Sequence, residues 1–408
     1  MGRSMMYPRK NLDIAFNDLA AALLYCIDYR LDRTSLSRHL EQLWSHRDEA
    51  LVALSVRSAF DALLTILKLP SGSEVIMSGI NIPDMTEIVL RHHLKVVPVD
   101  LILNTLQVDT DQLLEAISLK TRVVVVAHLF GSLMDMEAII RIVEAHENIL
   151  LVEDCAQAFA GCSGYLGADR SDVSMFSFGA IKTATALGGA MIRIRSADLH
   201  AAMRKRLASY PQHRRSYFFK RVMKYIALKV LSYPRVYGVA VGLLKMLGID
   251  YGVFIVSLAR TFKGRDLLNL IRMQPSAPLL ALLLRRLKSN NRSDLDGRLS
   301  AGNYVVKGLD DRSAIPGADN LSHTFWLFPL LTSHPEQLIA SLRRSGFDAT
   351  SDSTQLHCVS TDRERAKSTG ISRKIIDTAV YLPVYGSIPT RDLARMVSIV
   401  NASASAAV

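Results

Sequence analysis

Two short stretches of this chain place reactive side chains where solvation alone would not put them. The first is SMFSFGAIKTATALGGA, residues 174–190, whose one charged residue is Lys182. An amine held in apolar surroundings gives up its proton more easily and becomes a nucleophile toward an aldehyde. Five residues earlier, Ser177 offers a hydroxyl suited to an anionic oxygen. The second stretch is LLVEDCAQAF, residues 150–159, where an apolar run ends in Glu153 and Asp154. An acid at the carboxyl end of a parallel strand faces the crevice in which α/β proteins bind ligands. A carboxylate there can keep a proton on a pyridine nitrogen. A Schiff-base lysine and a pyridinium carboxylate together are what pyridoxal 5'-phosphate (PLP) requires. Each residue alone has a plainer reading, Asp154 as a helix cap and Lys182 as a surface lysine with a buried stem. The order strand–Asp, strand–Ser, Lys is what favours the cofactor.

These residues need a scaffold, and the flanking sequence supplies one. Strands are expected at 74–77, 95–99, 122–128, 149–153, 173–178 and 190–194, each rich in Val and Ile and several apolar throughout. Continuous apolar runs suit strands covered on both faces. Helices are expected between them at 58–69, 84–93, 109–117 and 135–146. The alternation predicts an α/β fold with a mostly parallel sheet sandwiched by helices. The expected organisation is an N-terminal helical segment at 1–45 and a large domain at 46–203. A basic, apolar helical insertion at 204–272 follows. An inter-domain helix comes next at 273–310, within a helical stretch running from 276 to 309. The chain then ends in a small α+β domain at 311–408, with strands at 324–330 and 380–382 and helices at 335–345 and 390–400.

The 408 residues are 49% hydrophobic, enough for two packed domains. The four cysteines lie apart with no C-x-x-C pair, so neither a disulfide nor a zinc framework is expected, and a reducing cytoplasm is. The N-terminus has no apolar core after its basic residues and does not read as a secretory signal. Net charge is +11, and its location is informative. Residues 204–272 hold 15 basic residues against Asp250 and Asp266 alone, so the rest of the chain is near neutral. Such a segment suits an anionic surface. No zinc-finger or RNP motif accompanies it, so nucleic acid is not an expected partner.

A helical wheel over 217–232 puts Lys220, Arg221 and Lys224 on one side and Phe219, Val222, Met223, Ile226 and Val230 on the other. The run VYGVAVGLLKMLGIDYGVFIVSLA that follows Arg235 is about as long as a membrane span. A span would bury Lys245 and Asp250 at roughly 2.5–3.5 kcal/mol each. A segment lying in the membrane interface costs less. Three readings stay open: an ordinary buried insertion with a solvated basic face, contact with a membrane surface, and, at the highest cost, a true span.

Taken in order, the motifs resemble those of the DegT/DnrJ/StrS-type nucleotide-sugar aminotransferases, PLP enzymes of fold type I. AHLFGSLMDMEAI resembles the family's His–hydrophobic–aromatic–Gly segment followed by Asp-Met. VEDCAQAF resembles its Glu-Asp-x-Ala-Gln signature, FSFGAIK its Phe-Ser-Phe-x-x-x-Lys, and RMQPSAPLLALLLRRL the Arg-Met start of its inter-domain helix. LPSGSEVIM and VVPVD resemble its upstream strand entries. The resemblance covers about residues 45–200 and 270–400. It implies Lys182 as the Schiff-base lysine, Asp154 as the pyridinium partner, Gln157 beside the cofactor hydroxyl and Ser177 as a phosphate ligand. The family's Ser-Gly-Thr turn corresponds to Ser55-Val56-Arg57, with Ser58 next, so Arg57, Ser58 and the helix amides are implied phosphate contacts.

The chain departs from the family at several places. Val56 replaces the Gly and Arg57 the Thr. Ile82 stands where the family stacks an aromatic over the cofactor ring, and Phe159 stands where it has a His. The Lys-to-Gly-Gly spacing is about two residues short.

The resemblance implies a homodimeric aminotransferase. It would move nitrogen from an amino-acid donor, glutamate or glutamine, to a keto group of a nucleotide sugar or related intermediate. Lys182 would shuttle the proton. Three alternatives stand beside it. One is a membrane-associated transaminase with a lipid-linked acceptor. One is a degenerate member retained as a structural partner. One is a sugar dehydratase, against which Lys182 itself argues, because those relatives carry histidine there.

Overall fold

The computed structural model describes residues 5–248, 266–289, 292–311, 314–320, 322–351, 355–360 and 369–405. Two helices open the chain, α1 (Phe16–Ile27) and α2 (Arg33–Trp44). Asp32 caps α2 by accepting from the amides of Thr34 and Ser35, which satisfies two of the orphan donors of its first turn. The strands of the main sheet then alternate with helices. They are β1 (Ala50–Ala53), β2 (Glu74–Ser78), β4 (Lys95–Val99), β5 (Thr121–Ala127), β6 (Leu150–Asp154), β7 (Val173–Ser177) and β8 (Ala190–Ile194). The two-residue β3 (Ile80–Asn81) lies outside this sheet. The helices between are α3 (Val56–Leu67), α4 (Pro83–Arg91), α5 (Thr110–Ala116) and α6 (Glu137–Glu144), and α7 (Ala197–Ala208) follows β8.

The spatial order is β1-β8-β7-β6-β5-β2-β4. Strands β7, β6, β5, β2 and β4 run parallel, while β8 and β1 are antiparallel at one edge. All six strands expected in this region form within a residue or two of the expected bounds. The short edge strand β1 was not expected. Alternate residues of each strand feed opposite faces. Val75, Met77, Val123, Val125, Val152 and Met175 pack under α3 and α4. Ile76, Val124, Val126 and Leu151 pack with α6 on the other face. This is the mostly parallel sheet sandwiched by helices that the sequence predicts.

Beyond the sheet, α8 (Arg215–Leu231) and α9 (Pro234–Met246) are joined by a bend of 95°. Then come α10 (Leu267–Ile271), α11 (Ala277–Lys288) and α12 (Arg292–Gly308). The helical stretch expected over 276–309 thus contains α11 and α12, with residues 290 and 291 outside the described ones. Arg272, at the end of the segment, holds Asp61 of α3 through two bonds of 2.9 Å. The C-terminal part pairs β9 (Phe328–Leu331) with β11 (Ala379–Leu382) under α12, α13 (Pro335–Arg344), α14 (Gly370–Thr378) and α15 (Thr390–Ser405). A further strand, β10 (His357–Cys358), reaches across to pair with β3.

The helical wheel of α8 needs correction. Phe218, Val222 and Tyr225 are its buried residues, while Phe219, Met223 and Val230 are exposed. The i, i+4, i+7 stripe that meets α1 and α11 decides the inward face, and the apolar set alone did not reveal it. Arg221 is not on a solvated face either; its Nη1 donates to the carbonyl of Leu187 at 3.0 Å. The second half of the run after Arg235, Asp250 included, lies outside the described residues. Among the described residues no single helix is long and apolar enough to cross a membrane.

Candidate active site

The carboxyl ends of β6 and β7 open into one cavity. Asp154 is the last residue of β6, and its carboxylate accepts from the amide of Ala156 at 3.0 Å. Ser177 ends β7, and Lys182 follows in a tight loop closed by its own amide on the Gly179 carbonyl at 2.9 Å. The loop returns through Gly189 at φ +91°, where a side chain would run into Leu283. Only glycine adopts that conformation cheaply.

Lys182, Asp154, Gln157, Ser177, Arg57 and Ile82 all line this cavity. Ser58 does not. It is fully buried behind the turn, where its hydroxyl meets that of Ser55 at 2.9 Å. Ser55 caps α3 by accepting from the Ser58 amide, so the cavity-lining part of the helix start is Ser55, Val56 and Arg57. Arg57 also pairs with Asp84 of α4. Gln157 is oriented by the amide of Phe130, which donates to its Oε1 at 2.8 Å.

The acid beside Asp154 has a separate task. Glu153 is fully buried and accepts from the amide of Ala168 at 2.9 Å, from Ser174 Oγ at 3.1 Å, and from the Tyr165 hydroxyl. His128 Nε2 lies 3.1 Å from the same carboxylate. The Met134 amide donates to His128 Nδ1 at 3.1 Å, which puts the imidazole proton on Nε2, facing Glu153. Burial pushes the Glu153 carboxyl up, but His128 and Tyr165 more than offset it and hold it at about 2. The backbone on either side of this network carries Asp154 and His128, and the His128 amide donates to the Asp154 carbonyl at 3.1 Å. Glu153 therefore fixes the floor from which Asp154 projects.

The electrostatics of the cavity divide between two groups. Burial raises the pKa of Asp154, against the pull of the Ala156 amide, Lys182, His128 and Arg57. Burial lowers that of Lys182 to about 7, with Asp154 opposing and Lys10 and Arg57 reinforcing. The Lys182 ammonium lies 4.0 Å from the centre of the Trp326 ring. Trp326 Nε1 donates to the Ile181 carbonyl at 2.9 Å, which pins the ring beside the lysine. Gly131 makes this approach possible. At φ +95° it faces the backbone of Trp326, and a Cβ there would sit 2.7 Å from the Trp326 nitrogen.

Sequence reasoning missed several wall residues. Lys10, Asn81, Trp326 and Leu356 come from distant parts of the chain and follow no local pattern. The side-chain nitrogen of Asn81 is buried without a hydrogen-bond partner, while its Oδ1 accepts from the Ile82 amide at 2.8 Å. A buried donor left unmade costs about 1–3 kcal/mol, so an acceptor in the cavity would relieve it. The segment expected as an insertion forms the roof: Tyr225, Leu228 and Leu231 from α8, and Tyr237, Val241 and Leu244 from α9. Phe159, where the family has His, stacks on Trp44 at 5.8 Å and meets Phe178 edge-on at 5.0 Å. Its place is in an aromatic cluster of the core.

An apolar-walled cavity thus brings together an amine of lowered pKa, a buried carboxylate, a helix start and a strand-end hydroxyl. The fold around it is that of the sugar aminotransferases. A sugar aminotransferase from Micromonospora echinospora superposes with a TM-score of 0.69 at 18% identity, covering 97% of this chain and 100% of that one. Residues 34–226 match the DegT/DnrJ/EryC1/StrS aminotransferase family, and the resemblance read from the motifs holds. The chain is 36% identical over 113 residues to the L-glutamine:2-deoxy-scyllo-inosose aminotransferase of Micromonospora echinospora, 28% of this chain and 25% of that protein. It is 30% identical over 163 residues to the GDP-perosamine synthase of Escherichia coli O157:H7, 37% of this chain and 43% of that protein. These matches span less than half the length of either relative.

Proposed function

We propose that the protein is a PLP-dependent aminotransferase acting on a keto group of a sugar or related biosynthetic intermediate. The observation that carries this reading is the pairing, in one cavity, of Lys182 at a pKa of about 7 with the buried Asp154. Bound PLP would supply an electron sink for the carbon that carries the moved nitrogen. Lys182 would anchor the cofactor and move a proton at that carbon; a pKa near 7 suits both at neutral pH. Asp154 would hold a proton on the ring nitrogen. Gln157 would face the ring hydroxyl. Ser177 and the start of α3, with Arg57, would hold the phosphate, and the free amide nitrogen of Asn81 would meet an oxygen of the occupant. Ile82, Leu228, Val241 and Leu244 exclude water. Relatives whose names print L-glutamine support glutamine as the donor, with glutamate the other donor that the motif resemblance implies, and the four free cysteines fit a reducing compartment. The test is release of keto acid from glutamate or glutamine by PLP-loaded protein. The parent should release it and Lys182→Ala should not; a parent that releases none sinks the reading.

A second reading of the acceptor rests on α8 and α9. Their inner faces are the apolar roof. Their outer faces expose Phe219, Met223, Val236, Val239 and Leu243 beside the exposed Lys220 and Arg235. No acid lies between Asp198 and Asp250. That composition fits an anionic membrane surface, with the acceptor carried on a lipid.

A further inference from the structure

We propose that a recess at the far end of α3, lined by Lys68, His92, Arg206 and Arg272, is a binding site for a phosphate group. It is separate from the active cavity and independent of the aminotransferase reading. The recess holds about 290 Å³, and its other walls are leucines and Thr65, so no acid lines it. Helix α3 is 12 residues long. The recess therefore lies roughly 18 Å from the helix start that faces the active cavity.

One acid stands behind the recess and organises it. Asp61 of α3 is fully buried; its Oδ1 lies 3.0 Å from His92 Nε2 and accepts from Arg272 Nη2 at 2.9 Å. Its Oδ2 accepts from Arg272 Nε at 2.9 Å and from the Tyr210 hydroxyl at 3.2 Å. Burial pushes the Asp61 carboxyl up, but His92 and Arg272 more than offset this and hold it at about 2. A charged Asp61 thus fixes the imidazole and one guanidinium side by side. These bonds leave His92 Nδ1 and Arg272 Nη1 without a partner among the described residues. The Arg206 guanidinium lies 5.0 Å from the centre of the Tyr210 ring, and its Nε is buried with no hydrogen-bond partner. Among the described residues Asp61 pairs with Arg272 and His92, and neither Lys68 nor Arg206 has an ion-pair partner. The permanent charges are then Lys68, Arg206 and Arg272 against Asp61, a surplus of two. A phosphate dianion matches that surplus, and guanidinium forks suit its oxygens.

The position gives such a site a consequence. Arg206 lies in the last turn of α7 and Arg272 follows α10, so the two come from opposite ends of the 204–272 segment. These ends are already drawn together. Gln274 donates through Nε2 to the Ala208 carbonyl at 2.9 Å and through its amide to the Pro211 carbonyl at 2.8 Å. A bound phosphate would tie both ends to α3 and steady the helices α8 and α9 that roof the active cavity.

The experiment measures binding of inorganic phosphate by calorimetry and thermal shift, with chloride at matched ionic strength as the control. PLP is first fixed with borohydride, so that the phosphate site of the active cavity is filled. A protein that takes no PLP is measured as purified, since the substitutions locate the site. The parent should bind phosphate saturably and melt higher with it. Lys68→Ala and Arg206→Gln should each raise the phosphate Kd about tenfold or more, the loss of one charge-assisted contact. Lys68→Arg should keep most of the affinity. Neither residue lines the active cavity, so the PLP absorption should stay unchanged. A second arm uses neutral vesicles with and without phosphatidic acid. Binding of inorganic phosphate assigns the site to a soluble phosphate. Binding of phosphatidic acid vesicles alone, lost in both variants, assigns it to a lipid headgroup. Phosphate that does no more than chloride together with no such vesicle binding, or variants that bind as tightly as the parent, overturns the proposal.

Discussion

Trp326 and Lys182 lie 144 positions apart in the chain, yet the indole both carries the Lys182 ammonium on its face and anchors that lysine's loop through the Ile181 carbonyl. The ring comes from the segment leading into β9, outside the sheet that bears Asp154. The C-terminal part of the molecule therefore completes the site that the large sheet begins.

Replacing Trp326 with Ala should open the cavity to water. The lowered pKa of Lys182 arises first from burial, so its amine should titrate nearer the ordinary lysine range. At neutral pH a smaller fraction would be neutral, and the rate of cofactor capture should fall. Loss of the ring contact itself is worth about 0.5–2 kcal/mol. Stopped-flow mixing of cofactor-free protein with PLP across pH 6–9 checks it. An unchanged pH profile would show that Trp326 does not shield the lysine.

Glu153 should govern behaviour in acid. Its folded pKa of about 2 lies below the ordinary value of 4.5, so its stabilising contribution is present above pH 4.5 and is lost as pH falls toward 2. In Glu153→Gln the stability should be lower at neutral pH and should change less between pH 4.5 and 2. Urea melts at several pH values measure this. Parallel stability curves for parent and variant would contradict it.

Asp154→Asn should separate binding from chemistry. The amide keeps the shape and gives up the charge that holds the ring proton. Transamination should drop by orders of magnitude while PLP affinity falls much less. A variant that transaminates near the parent rate removes Asp154 from its assigned role.

The membrane reading makes its own forecast. The protein should pellet with vesicles containing anionic lipid at low salt and release at high salt. Lys220→Glu with Arg235→Glu should abolish pelleting, at about 1 kcal/mol per charge before the reversal is counted. Neither residue lines the cavity, so the PLP absorption should stay unchanged. No pelleting at low salt would leave the exposed apolar face of α9 to another surface, a second copy of the chain above all.

How much of this was legible in the sequence depends on the range of the forces involved. Strands such as RVVVVA read clearly because a run apolar on both faces has few other homes. Asp154 and Lys182 were legible because each closes such a strand or its loop. The edge strand β1 was too short to stand out. The inward stripe of α8 was misread because its apolar residues nearly encircle the helix, and α1 and α11 choose among them. Lys10, Asn81 and Trp326 carry no local pattern, and only tertiary packing brings them to the cavity. Phe159 read as a departure, and the structure shows it as one ring in a cluster with Trp44, Phe176 and Phe178.

The central claim is that Lys182 holds the cofactor, and one measurement bears on it directly. Purified protein loaded with PLP should be yellow, and borohydride should bleach it while fixing the cofactor to the chain. Digestion and mass spectrometry should then find the pyridoxyl group on the peptide containing Lys182. A label on Lys10 or any other lysine, or no label at all, would contradict the account.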